Sequence, residues 1–170
     1  MGFAFNPHDP NPDPFNLERF VTAQNKDNSY NAALSEIRSG RKATHWIWYI
    51  FPQLKGLSTS IRGQRYGITG LAEAQAYLEH PVLRARLVEI SRAVLQANQK
   101  RAWALMGSGI DEEKLWACMT LFQRADGPGE EVFKWSEVLK KYFKGEGHQT
   151  TEEMLFSEGA DEAEAGGGAY

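Results

Sequence analysis

Between Ile37 and Ala72 the chain contains no acidic residue, while Arg38, Arg41, Lys42, Lys55, Arg62 and Arg65 place six positive charges there. Charge of one sign left uncompensated beside a loop is how an anion site looks in sequence. Arginine supplies a planar fork that matches phosphate oxygens, and lysine a compact charge. The same interval holds Trp46, Trp48, Tyr49 and Tyr66, whose rings offer stacking faces worth about 1–3 kcal/mol each. Cations beside stacking faces suggest a small phosphorylated, nucleotide-like ligand, with Arg41, Lys42 and Arg65 on the anion and Trp46 or Trp48 on the ring.

His45 is the one histidine of the interval, and on a helix it shares a face with Trp48 and Tyr49. Near neutral pH it could protonate a leaving group or hydrogen-bond a phosphate. Glu36, one turn before the cluster, could be a general base or accept from a ribose hydroxyl. Arg19 and Gln24 could point at the same region from an earlier helix. If the chain is an enzyme, Glu36 and His45 would be the acid and base of a glycosidic hydrolysis. The rival reading is plainer: the aromatic run is core, the cations are a solvated face, and the basic loop docks an acidic protein on a convex patch.

Other chemistries are poorly supplied. His8, His45, His80 and His148 form no i, i+4 pair, and no carboxylate cluster has ligand spacing, so no metal is expected. Cys118 lies in the apolar stretch "LWACMTLF", where an inert buried thiol is expected. No phosphate-loop or dinucleotide motif is present, and no cofactor is implied. A single cysteine suits a reducing compartment, cytosol or nucleus. The N-terminal stretch has no basic region followed by an apolar one, and the longest apolar run, Trp46 to Phe51, is far short of the ~20 residues that span a bilayer. The net charge is −3, with Glu158, Asp161, Glu162 and Glu164 in the last stretch. The remainder is near neutral, which argues against a nucleic-acid partner and its continuous basic groove.

These residues must be held by a fold of helical period. The 170 residues suffice for one domain that buries roughly 70 % of its unfolded surface. Residues 1–12 and the acidic Gly/Ala-rich tail 157–170 are expected to be disordered, around a domain spanning 13–156. Asp13-Pro14 reads as a cap and first helical residue, with a helix to about Gln24. "NSYNAALSEIRSG" reads as an amphipathic helix closed by Gly40. The run Thr44 to Phe51 suits a strand or a helix turn; helix is preferred because Thr44 can cap it and its neighbours are helical. Leu54–Gly70, with four glycines, reads as a long loop. Further helices are expected over "TGLAEAQAYLE", from Pro81 through Val94, from a cap at Asp111, over "EEVFKWSEVLKKYF", and from a capping box of Thr150 with Glu153. Six to eight helices without strand alternation imply an all-α orthogonal domain.

The stretches "DPFNLERFVTAQ", "YNAALSEIRSGRKATHWIWYIFPQLKGL", "YGITGLAEAQAYLEHPVLRARL" and "MTLF" followed by "VFKWSEVLKKYF" closely resemble the domain-of-unknown-function 1810 family, from about Asp13 to Phe143. The resemblance implies a mostly helical fold and a candidate pocket at Arg19, Phe20, Gln24, Tyr30, Glu36, Lys42, His45, Trp46, Trp48, Gln53 and Tyr66. It implies no established reaction. A helical family associated with NAD and ADP-ribose looks distantly similar, which would make the ligand an ADP-ribose derivative. The chain departs from the pattern with "ATHW" where Ser-His-Trp is usual, "ACMTLF" where "SSMTLF" is common, and a basic "SIRGQ" before Tyr66. The label calpastatin carried by some relatives does not suit a compact helical domain.

Overall fold

The computed structural model describes residues 10–129 and 131–166; the expectation of disorder over the first nine residues and the last four lies outside them. Helix α1 (Glu18–Asn25) and α2 (Ser29–Arg38) are joined by a 3-10 turn at Lys26–Asn28. A single turn, α3 (Ile47–Ile50), is followed by a 3-10 turn at Lys55–Leu57 and the short α4 (Ile61–Arg65). Then come α5 (Leu71–Glu79), α6 (Pro81–Gln96), the short α7 (Ala102–Met106), α8 (Gly109–Asp126), α9 (Trp135–Phe143) and α10 (Gln149–Gly166). No strand occurs among the described residues, only an isolated parallel bridge between Leu54 and Ile68. The fold is all-α, as the periodicity predicts, and no described helix is long and apolar enough to cross a membrane.

Helix α8 is the axis of the core. Leu115, Cys118, Met119, Leu121 and Phe122 on it are fully buried, and it packs against α5, α7, α9 and α10. Tyr77 of α5 and Trp135 of α9 close on Phe122 with ring centroids 5.1 Å and 5.9 Å away. Burial pushes the Cys118 thiol up, so the cysteine is the inert core residue its surroundings predict. Helix α6 lies across α2, α5 and α9, and α1 rests on α2, α3 and α6.

Several helix starts differ from expectation because a better-placed acceptor exists. Asp13 does cap, but for a helix that begins later: its carboxylate accepts from Leu17 N at 2.7 Å and Glu18 N at 3.0 Å. Asn16, at φ 52°, keeps Pro14 out of the helix. Ser108, not Asp111, caps α8, accepting from Asp111 N at 3.1 Å. The Thr150 and Glu153 box does not form; the His148 ring accepts from Thr151 N at 3.3 Å, and Glu153 takes the Gln149 amide. In "EEVFKWSEVLKKYF" residues 131–134 are not helical, and α9 begins only at Trp135. Leu54–Gly70, expected as a long loop, is stitched by Lys55 N to Ile68 O at 2.8 Å and Ile68 N to Gln53 O at 2.9 Å, with α4 inside. In place of a disordered tail from Ser157, α10 continues to Gly166. Glu158 anchors it by accepting from Leu71 N, at 3.0 and 3.2 Å, one of the orphan donors that begin α5.

Two side chains fix the irregular segments that build the site. The carboxylate of Glu36, in the last turn of α2, accepts from Ala43 N at 2.5 Å, Thr44 N at 2.7 Å, Thr44 Oγ1 at 2.7 Å and Trp46 Nε1 at 3.2 Å. Thr44 therefore donates to Glu36 instead of capping α3, whose start has no side-chain cap. Arg19 uses all five of its N–H donors: on Arg65 O, Phe15 O, Asn16 O, Gly67 O and the buried Glu73 carboxylate at 2.7 Å. It thus ties the entry of α1 to the exit of α4 and the start of α5.

Burial alone would raise the Glu36 carboxyl, but the hydrogen bonds from Thr44, Ala43 and Trp46 hold it below its ordinary 4.5. The stabilisation it supplies is therefore present above about that value and fades as pH falls through the lower folded pKa. Glu36→Gln, which puts an amide donor against backbone N–H groups, should cost about 1–3 kcal/mol at pH 7. Thermal melts of both proteins against pH should show the gap closing in acid, and equal melts at pH 7 would show that this carboxylate does not hold the loop. For the tail, Glu158→Ala should remove hydrogen-exchange protection from the α10 amides beyond Ser157 while leaving α8 unchanged; unaltered protection would mean that the helix end holds without its anchor.

Candidate functional site

A cleft of about 570 Å³ opens between the α1–α2 turn, the segment entering α3, and α4. Ala23, Lys26, Asp27, Ser29 and Ala32 form one wall, Thr44, His45 and Tyr49 the floor side, and Ile61, Arg62, Arg65 and Tyr66 the other wall. The left-handed pair Asp27, at φ 51°, and Asn28, at φ 57°, breaks the chain between α1 and α2 and sets the first wall at the rim. Aspartate and asparagine are the side chains that tolerate this conformation best after glycine. The second wall depends on close backbone approach: a Cβ at Gly63 would lie 1.8 Å from Ser58 Oγ, and one at Gly67 would lie 2.5 Å from Lys55 Cα. Arg19 grips the carbonyls of Arg65 and Gly67 just beyond α4.

The floor is aromatic and rigid. Tyr49 and Tyr66 meet edge-to-face with centroids 5.4 Å apart, and Tyr66 leans on Phe20 at 6.0 Å. The Tyr49 hydroxyl and Ser29 Oγ are 2.7 Å apart, which joins floor to wall. Around this floor stand Lys26, Arg62 and Arg65, none of which is within ion-pair distance of a carboxylate among the described residues. The Arg65 guanidinium lies over Tyr66 at 5.6 Å and that of Arg62 over Trp48 at 4.8 Å. Lys114 of α8 sits 5.3 Å from the same Trp48 ring. Asp27 is the one carboxylate lining the cleft. The arrangement can hold an anion of small-molecule size, with His45 exposed at the edge as a further hydrogen-bonding group.

Of the residues singled out from sequence, His45, Tyr49, Arg65 and Tyr66 line this cleft. Most of the others hold the fold. Glu36 has four donors on its carboxylate and little basic capacity left for a substrate proton. Lys42 is buried, paired with Asp111 at 2.9 Å, bonded to Thr44 O at 2.5 Å and laid over Trp46 at 4.8 Å. Trp46 is 1 % exposed and cannot stack a ligand. Arg19 has no donor left. Gln24 is buried, giving its amide to Tyr49 O and Tyr77 Oη and accepting from Arg86. Tyr30 donates to Arg86 O and to Glu89, and burial first, then the Glu89 hydrogen bond, push its phenol far up. Trp48 is half-buried beside the cleft, between Arg62 and Lys114; Arg41 is exposed, and Gln53 is half-buried in the Leu54–Ile68 junction, all three outside the lining.

The residues missed by sequence reasoning are Lys26, Asp27, Ser29, Ile61 and, as a chosen ligand, Arg62. Arg62 stood among the six cations, but nothing in its spacing separates it from Lys42. Lys26 falls outside the acid-free interval, which begins only after Glu36. The Asp-Asn pair between two helical stretches was the available signal, since it marks the turn that brings that wall around.

A hollow of about 510 Å³ along α10 is lined by residues of that helix alone, with Glu153, Glu158, Asp161 and Glu162 and no base. It offers no convergence of separate elements. Among the described residues no three His, Cys, Asp or Glu side chains are grouped to hold a metal ion.

Comparison with known proteins agrees with the fold and leaves the chemistry open. The conserved hypothetical protein Rv1873 from Mycobacterium tuberculosis, whose crystal structure was determined at 1.38 Å, superimposes with a TM-score of 0.77 at 41 % identity. The match covers 84 % of this chain and 98 % of that one. No curated protein matches. The likeness to the family associated with NAD and ADP-ribose finds no support in these matches. Residues 14–155 match the family described as Protein of unknown function (DUF1810), and the chain belongs to it.

Proposed function

We propose that the protein binds a small phosphorylated, nucleotide-like ligand in the cleft between the α1–α2 turn and α4. The observation that carries the reading is that Lys26, Arg62 and Arg65 reach one hollow from separate segments without carboxylate partners. Cations elsewhere in the same region are paired with carboxylates, Lys42 buried and Arg19 half-buried. A volume of about 570 Å³ falls within the range of small-ligand sites, roughly 300–1,000 Å³. Ile61, 88 % exposed on the lip, and the Tyr49–Tyr66 floor supply apolar surface for the flat part of the ligand. The reading is one of binding. Hydrolysis through Glu36 is not part of it, because that carboxylate is occupied; His45 remains as a donor to phosphate.

Thermal shift against mononucleotides, NAD, ADP-ribose and sugar phosphates tests it. A ligand at 100 times its dissociation constant should stabilise the fold by roughly 2.7 kcal/mol. The shift should vanish in the double variant Arg62→Ala, Arg65→Ala, whose melting without ligand should be near that of wild type because neither side chain is ion-paired. Lys42→Ala should instead destabilise the fold by about 3 kcal/mol, with or without ligand, and lower the melting point accordingly, since it strands Asp111. If no compound moves the wild type, the cleft is not a ligand site, and the basic loop reads as a dock for an acidic protein.

A further inference from the structure

The cleft carries a carboxylate that works against the anion it is built to hold. Asp27 lines it together with three cations, yet it forms no ion pair and no hydrogen bond among the described residues. Its backbone position does not require a charge. The left-handed turn needs only a residue that tolerates φ near 50°, and the neighbouring Asn28 shows the neutral solution, its side chain accepting from Asn31 Nδ2 at 2.6 Å. A bare anion entering between Lys26, Arg62 and Arg65 meets repulsion from Asp27. A ligand that also bears hydroxyl groups meets an acceptor instead, and a hydrogen bond to a charged acceptor is among the stronger ones. Ser29, on the same wall, already has its hydroxyl against Tyr49, which leaves Asp27 as the wall's free acceptor.

Resting on the binding reading above, we propose that Asp27 is the specificity residue of the cleft: it accepts hydroxyl donors of a sugar whose phosphate lies between Arg62 and Arg65, and so selects sugar phosphates over simple anions. Orientation follows, with the phosphate toward α4 and the sugar hydroxyls toward the α1–α2 turn.

The test uses inorganic phosphate and ribose 5-phosphate as probes, titrated by calorimetry into wild type and Asp27→Asn. Asparagine keeps the left-handed turn, so the variant retains its fold. Wild type should prefer ribose 5-phosphate by about tenfold or more. In Asp27→Asn the preference should fall to about twofold, with phosphate itself bound more tightly than by wild type. Two probes bound equally by wild type, or a preference that the variant leaves intact, would overturn the role of Asp27 while leaving the cleft as an anion site. A wild type that binds neither probe would overturn both.

Discussion

A carboxylate at the wrong end of a helix holds together the segments that bound this molecule's cleft. Glu36 sits in the last turn of α2, where the helix dipole disfavours negative charge. It is tolerated because four donors converge on it, two of them backbone N–H groups of a stretch with no regular structure to satisfy them. The consequence reaches well past the loop. Trp46, held through its indole nitrogen, enters the core, and its position sets where α3 begins. Tyr49 follows within that single turn and becomes the cleft floor. A one-turn helix cannot hold itself by propensity, so its place is dictated from outside.

The same logic sorts the cations. In sequence the interval from Ile37 to Ala72 is free of acids, but in space it is not, since Asp111 of α8 reaches Lys42. Arg19, on the helix before the interval, is matched in the same way by Glu73 of α5. Both pairs lie among buried groups, where an unpaired charge would be too costly to keep. What remains unpaired, Lys26, Arg62 and Arg65, is what stands at the rim of the cleft. Linear charge counting cannot divide these cations into paired and unpaired, because the acids that neutralise a subset come from helices tens of residues away.

Helix positions were readable wherever the signal was local. The α2 stripe closed by Gly40, the His80-Pro81 start of α6 and the apolar period along it need only nearest turns to be recognised. Readings failed where a tertiary partner competes with a local one. Thr44 looks like a cap and is taken by Glu36; Thr150 and Glu153 look like a box, and His148 supplies the acceptor instead. The acidic tail has the composition of a disordered segment, yet its alanines and glutamates are also helix formers, and one contact from Glu158 to the start of α5 fastens the helix. For the candidate site, ring and cation types in sequence led to some of the residues that line the cleft, His45, Tyr49, Arg65 and Tyr66. Fold contacts and cleft contacts differ in burial, however, and burial is not a property of a single residue's neighbours in sequence.

Division of labour between the two sets of charges has a structural reason. Two segments that bound the cleft are secured by groups outside its lining: Glu36 for the approach to α3 and Arg19 for the exit of α4. Of the side chains that line the cleft, Ser29, Thr44, Tyr49 and Tyr66 hold structure, while Lys26, Asp27, Arg62 and Arg65 form no ion pair among the described residues. Lys26, Arg62 and Arg65 line one cleft, and Arg62 and Lys114 share the Trp48 ring, which leaves like-charge repulsion that solvent only partly screens. An anion there would relieve it. A wall held from behind by Glu36 and Arg19, with Lys26, Arg62 and Arg65 unpaired in front, lets those cations change without loss of the fold.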